Sequence, residues 1–228
     1  MFYDTTYILV LIGLGLSLLA SGYMNHTFSK YSKVISEAGI TGSETAKRIM
    51  ESQGVYGMPV QHVGGNLTDH YDPRSKSLSL SDSVYKSTSI AAIAVAAHEC
   101  GHALQDREGY SLLAIRTAIV PVANLGSRFS WYLVLAGLII GGWGRYLMLA
   151  GIICFMAAVL FQVVTLPVEI NASRRGLALL EYEDLIPRNE IPLAQKVLIA
   201  AALTYVAGTL SSLLQLLRLI LLFQRRDQ

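Results

Sequence analysis

Charge is scarce in this sequence. Asp, Glu, Lys and Arg make up 15% of its 228 residues, against about 25% in ordinary water-soluble domains. Hydrophobic residues reach 53%, so much of the chain is expected to face lipid rather than water. The net charge is only +2, and no basic stretch is interleaved with aromatics, which excludes nucleic acid as the expected partner. Cysteine is nearly absent. Cys100 and Cys154 show neither CxxC nor zinc-finger spacing, so they read as unpaired buried thiols. The apolar runs hold few ionisable residues at mid-depth, which disfavours a transport path.

What the sequence does have is an apolar run, Ile90 to Ala97, leading into Ala97-His98-Glu99-Cys100-Gly101-His102-Ala103. This is H-E-x-x-H. On a helix, positions i and i+4 share one face about one turn apart, so His98 and His102 can offer two imidazole nitrogens to one metal ion. Glu99 comes off the same helix beside the open coordination position, where a general base takes a proton from water. Ser89 offers an N-cap, and the alanine-rich run has no breaker before Gly101. Burying His, Glu and His together is costly unless something binds them. The expectation is a catalytic Zn2+ site.

Along the chain, Thr6 to Tyr23 is continuously apolar and just long enough to cross a bilayer. No Lys or Arg precedes it and no small-x-small cleavage site follows, so an uncleaved span is expected rather than a signal peptide. Asp4 precedes it and Lys30 and Lys33 follow, which favours an outside N-terminus and a cytoplasmic continuation. Thr41-Gly42-Ser43-Glu44 is a capping box, with Gly54 closing the short helix and Ala46, Ile49 and Met50 as its apolar stripe. Lys76 to Ser81 alternates at period 2 as a half-buried strand. Its edge could hold an extended peptide by strand addition, or it could belong to an ordinary hairpin. Asp69, His70 and Asp72 read as turn residues rather than as a second metal site.

Trp131 to Gly142 and Tyr146 to Pro167 form a hydrophobic hairpin turned by Gly141-Gly142-Trp143-Gly144-Arg145. Val197 to Phe223 is a last apolar stretch. Arg218 within it and Arg225-Arg226 beyond it sit awkwardly with a fourth crossing, leaving three spans or four.

Catalytic zinc takes three protein ligands and one water. The metzincin arrangement would need glycine at Gln105 and histidine at Glu108, so that class is rejected, although Glu108 stays on the list of carboxylates. Glu169, just past a transmembrane run, is the better third ligand. It could instead pair with Arg174 or Arg175. Glu181, Glu183 and Asp184 are reserves. Tyr205 is one candidate oxyanion donor, though a packed helix tyrosine is the better reading there.

The stretch Leu67 to Tyr85, the segment Ser89 to Gln105 and Glu169-Ile170-Asn171-Ala172-Ser173-Arg174-Arg175 resemble the YugP-type neutral zinc metallopeptidases, a family of bacterial membrane proteases. The likeness covers nearly the whole chain. It implies an integral-membrane endopeptidase with His98 and His102 as ligands and Glu99 as acid/base. More distantly, H-E-x-G-H followed by E-x-x-A is similar to the HtpX and CAAX prenyl protease group of membrane gluzincins, where the later glutamate completes the site. That group often has an aspartate four residues after the ligand glutamate. Here Ser173 stands in that place, so Asn171 or Ser173 is expected to steady a zinc-bound histidine.

The fold class expected is mainly α: a multi-pass helical membrane protein with a small α+β zincin-like metallopeptidase region carrying the H-E-x-x-H helix. Residues 1–24 form an N-terminal transmembrane helix. Residues 25–128 form a water-facing catalytic region, with the motif helix at about 89–105. Residues 129–167 form a transmembrane hairpin, and 168–228 a third-ligand helix and a C-terminal hydrophobic helix. The function expected is zinc-dependent peptide hydrolysis in the cell membrane, with the site on the cytoplasmic side. The partners are the lipid bilayer and a polypeptide substrate, with self-association or a regulatory membrane partner allowed. The alternative is a non-catalytic membrane scaffold or regulator with a vestigial or structural metal site.

Overall fold

The structure, a computed structural model, describes residues 5–225; Asp4 and Arg226 lie outside the described residues. In chain order the helices are α1 (Tyr7–Tyr31), α2 (Gly42–Ser52), α3 (Ile90–Arg107), α4 (Ser111–Ile139), α5 (Gly144–Tyr182) and α6 (Ile191–Arg225). Three short strands, β1 (Val60–His62), β2 (His70–Asp72) and β3 (Ser77–Leu80), lie between α2 and α3. The chain divides into two compact units. One takes in Met1–Ser21, Ser111–Pro167 and Thr204–Gln228, the other Gly22–Tyr110 and Val168–Leu203.

In the first unit the helices carry large apolar side chains on their outer faces. Leu11, Leu18 and Leu19 of α1, Tyr132 and Ile139 of α4, and Ile153 of α5 are all exposed. Water-soluble monomers rarely leave so much contiguous apolar surface uncovered. The four helices α1, α4, α5 and α6 are long and apolar enough to cross a membrane. The sequence leaves α6 undecided between crossing and lying along the surface; as one continuous helix it is long and apolar enough to cross. Arg218, the residue that made this helix awkward, is buried with its guanidinium 4.2 Å from the centre of the Tyr7 ring, a cation–π contact.

Helices α4 and α5 form the expected hairpin. Gly144 N–H donates to the Gly141 carbonyl at 3.0 Å across the turn, and Gly142 takes a positive φ of 46°. The two helices approach closely at glycines: a Cβ on Gly126 would lie 2.4 Å from the Cys154 carbonyl oxygen. Small residues let apolar helices pack by backbone contact where no hydrophobic drive exists between them.

Three expectations are corrected here. Helix α4 runs unbroken through Pro121, so the division expected at 128/129 falls inside one helix. Helix α5 likewise continues through Pro167, so Glu169 stands on the same helix as the apolar run rather than on a separate one. Proline removes one backbone donor and is tolerated where neighbours satisfy the freed carbonyl. Helix α1 continues past Tyr23 to Tyr31, beyond the apolar run, and so contains His26.

The second unit has its own core of fully buried side chains, including Ile49, Met50, Leu78, Leu80, Ile90 and Ile93. Each such burial contributes about 1.5–3 kcal/mol relative to exposure. The capping box on α2 is formed: Thr41 accepts from the Glu44 N–H, and Glu44 accepts from the Thr41 N–H at 2.8 Å. Gln53 is its C-cap, and Gly54 follows with φ of 72°. The stripe residues Ala46, Ile49 and Met50 are all buried.

The sheet order is β1-β3-β2, with β1 parallel and β2 antiparallel to β3. Leu78 is opposite Val60 on one side and Tyr71 on the other. The strand expected over Lys76 to Ser81 is therefore the central one. Its edges are both paired, so it offers no free edge to an extended peptide.

Candidate metal centre

Helix α3 begins where Ser89, in extended backbone, accepts a hydrogen bond from the Ala92 N–H at 3.3 Å. Its alanine-rich first half has strong helix propensity and no bulk. One face, with Ile90, Ile93, Cys100 and Leu104, is buried in the core. Cys100 sits on this face with its thiol against the Ala46 carbonyl, and burial pushes its pKa up. His98, Gly101, His102 and Gln105 form a second stripe at i, i+3, i+4 and i+7.

Helix α5 offers Glu169, Ala172, Ser173 and Gly176 at the same spacing. The two stripes meet at backbone contact. A Cβ on Gly101 would lie 2.3 Å from the Ala172 carbonyl oxygen, and one on Gly176 would lie 2.5 Å from that of Ala97. Because no side chain separates the helices there, the functional groups beside the contact reach one another.

His98, His102 and Glu169 bring one donor atom each to a common point, all within 4.8 Å of one another. Glu169 Oε2 lies 3.3 Å from His98 Nε2 and 3.5 Å from His102 Nε2. These separations exceed the roughly 2.7–2.9 Å of charge-assisted N–H···O hydrogen bonds. They match the edge of a tetrahedron around zinc, about 3.4 Å for donor distances near 2.1 Å. Glu169 is 2% exposed, and a carboxylate that deep needs a cation or strong donors. Two imidazole nitrogens and a carboxylate oxygen are the donor set of hydrolytic zinc sites, so the residues fit the ion. Among the described residues this is the one such cluster.

Behind the donors, His98 Nδ1 lies 3.0 Å from Ser173 Oγ, and His102 Nδ1 lies 3.0 Å from Gln105 Oε1. The Gln105 amide nitrogen donates to the Val168 carbonyl and to Asn171 Oδ1, both at 2.9 Å. Arg175 Nε donates to the same Asn171 oxygen at 2.8 Å, while its Nη1 pairs with Glu108 at 2.6 Å. Of the two residues expected behind the histidines, Ser173 makes direct contact and Asn171 acts at one remove. Gln105 was missed. It stands three residues after His102, on the same helical face, and that spacing was the available signal.

Burial works to lower the His102 pKa, but the carboxylates of Glu169 and Glu99 and the Gln105 contact outweigh it and raise it. Glu99 itself is buried beside the histidines.

The rival carboxylates are not in the cluster. Glu108 caps α3 and pairs with Arg175. Glu183 accepts from Gln53, and Asp184 turns the chain after α5 with φ of 45°. Asp69 accepts from the Ser81 N–H and hydroxyl, and Asp72 from the Arg74 N–H and Ser75 hydroxyl. The Asp72 contacts are those of a turn, whereas Asp69 reaches twelve residues along the chain to Ser81. Tyr205 belongs to the other compact unit. A cleft of about 280 Å³ opens beside Ser173, lined by Ile170, Leu177, Leu198 and Ile199 among others.

The model of a family described as "Putative neutral zinc metallopeptidase" matches residues 6–224. A Bacillus subtilis (strain 168) protein named "Putative membrane protease YugP" is 48% identical over 215 residues, covering 94% of this chain and 95% of that protein. No solved structure matches the chain.

Proposed function

The chain belongs to this neutral zinc metallopeptidase family, and from that membership we propose that it is a zinc-dependent endopeptidase of the cell membrane. The observation that carries the reading is the cluster of His98, His102 and Glu169, in which the buried Glu169 Oε2 stands at tetrahedral-edge distance from both imidazole Nε2 atoms. These three residues would hold the ion and leave a fourth position for water or substrate. When bound, zinc supplies Lewis acidity that acidifies a water and polarises the scissile carbonyl.

Glu99 is the general base. It follows His98 on α3, takes a proton from the attacking water and delivers it to the leaving amine nitrogen. Ser173 and Gln105 hold the two imidazoles from behind. The cleft beside Ser173 has the apolar lining to receive a hydrophobic side chain of a polypeptide substrate. The motif helix backed by a small sheet supports a zincin-like description of this region.

Four helices with the length and composition of membrane spans support a multi-pass protein, and the name of its Bacillus relative supports a membrane location. Lys30 and Lys33, following the first apolar run, favour the cytoplasmic side for the site.

The test is zinc content in detergent-purified protein. About one zinc per chain is expected in the native protein, as in other catalytic sites of three protein ligands. His98→Ala and Glu169→Ala are each expected to lose it. Retention of full zinc occupancy by Glu169→Ala would remove that residue from the ligand set. A native protein that stays metal-free after zinc is supplied would overturn the reading in favour of a scaffold.

A further inference from the structure

We propose that Gln105 is the positioning residue of His102, and that Asn171 and Arg175 fix the direction in which its amide points. The inference rests on the zinc reading above but concerns a property of the chain that exists before any metal arrives.

The chain of contacts starts at a group with no choice of role. A guanidinium has donors only, so Arg175 Nε, 2.8 Å from Asn171 Oδ1, must donate to it. That fixes the Asn171 side chain with its oxygen toward Arg175. The same oxygen lies 2.9 Å from Gln105 Nε2 and can accept there as well, since a carbonyl has two lone pairs. The Val168 main-chain carbonyl, also 2.9 Å from Gln105 Nε2, can only accept. Both neighbours at that end of the Gln105 amide therefore demand its NH2 group.

Its oxygen is then the atom turned toward His102 Nδ1, 3.0 Å away. An amide oxygen only accepts, so Nδ1 must carry the proton. In the neutral imidazole this leaves the lone pair on Nε2, the atom that faces Glu169. An amide's orientation is ordinarily an assignment from its surroundings. Here donor-only and acceptor-only groups at the ends of the chain leave one solution.

Gln105 is completely buried, so no water competes for these positions. It also ties the two ligand helices together, since Val168 is the residue before Glu169 and Asn171 lies two beyond it. His98 is held differently. Its Nδ1 partner is the Ser173 hydroxyl, which can donate or accept and so leaves that tautomer open. The two histidines are thus unequal: His102 is locked for metal binding in advance, and His98 is not.

The experiment measures zinc affinity by chelator competition on the full chain in detergent. In parallel, nitrogen-15 spectra of the metal-free protein report the histidine tautomers, with His102 assigned by difference from His102→Ala. In spectra taken above the raised His102 pKa, where the ring is neutral, native protein is expected to carry the His102 proton on Nδ1. Gln105→Met, similar in volume, is expected to mix the tautomers and weaken zinc about 10–100-fold, the range for removing a ligand's orienting partner.

Asn171→Asp offers acceptors to both Arg175 and Gln105 and is expected to keep the native tautomer and zinc affinity. Asn171→Leu removes the acceptor and is expected to weaken zinc, which tests the chain even where Gln105→Met fails to fold. Unchanged zinc affinity in Gln105→Met, or an unchanged Nδ1-protonated signal, overturns the proposal. Equal behaviour of the two Asn171 variants overturns the part assigned to Arg175. A native protein that takes up no zinc counts against the metallopeptidase reading instead, while the tautomer spectra still decide this one.

Discussion

Glu99→Gln is expected to abolish peptide hydrolysis while leaving one zinc per chain. The substitution keeps side-chain volume at a buried position, so the packing of α3 against its neighbours is preserved. What changes is the proton chemistry. An amide cannot take a proton from water near neutral pH, nor hand one to a leaving amine, and general acid–base groups contribute about 10²–10⁴-fold to rate. The donor trio does not include Glu99, so zinc content should not fall. The measurement is turnover of an unfolded polypeptide such as casein, paired with zinc content on the same preparation. Full activity in the variant would sink the role of Glu99 as base. Loss of both activity and zinc would make Glu99 a structural support of the site rather than its base.

The parts of this site that were legible in the sequence are those fixed by local spacing. The i, i+4 separation of His98 and His102 guarantees a shared helical face, and Ser89 and the alanine run start that helix where expected. The capping box at Thr41 and Glu44 is likewise a matter of three residues. Pairing between distant segments was not legible. The alternation over Lys76 to Ser81 correctly indicates a strand, but period 2 says nothing about neighbours. β3 turned out to be covered on both sides, one of them by a parallel strand from before the β2 turn.

Helix ends in an apolar setting were also hard to read. Pro121 and Pro167 are stop signals in water, yet α4 and α5 pass through both. Gln105 shows the same limit inside the site. Its sequence neighbours mark it as one more residue at the end of α3. Only the arrival of Val168 and Asn171 from more than sixty residues away gives its amide a direction.

A substitution that leaves H-E-x-x-H intact should nonetheless destroy the site. Gly101 occupies one of the two free positions of the motif, so the pattern alone treats Gly101→Ala as silent. The structure does not. The added methyl would meet the Ala172 carbonyl oxygen at 2.3 Å, the Ala172 carbonyl carbon at 2.9 Å and its Cα at 3.0 Å. All three are backbone atoms of a helix, so no rotamer change can relieve the contact. The helices must move apart by about 1 Å to reach ordinary contact, whereas metal–ligand distances are held to within about 0.2 Å. His98 and His102 belong to α3 and Glu169 to α5, so the opening falls directly on the donor spacing. Overpacking of this kind costs about 1–3 kcal/mol in stability. The larger effect is expected on the metal, with zinc affinity down at least about tenfold, as when a ligand loses its orienting support, and hydrolysis lost with it. Gly176→Ala should behave alike, because its methyl would meet the Ala97 carbonyl oxygen at 2.5 Å from the opposite helix. Gly22→Ala is the control, since a Cβ there meets nothing within 4 Å. Chelator competition and thermal unfolding on the three variants separate the outcomes. Native zinc affinity in Gly101→Ala would mean that the helix contact does not set the donor geometry. Loss in both α3–α5 glycine variants, with Gly22→Ala unaffected, would make backbone contact between α3 and α5 the feature that converts a five-residue motif into a metal site.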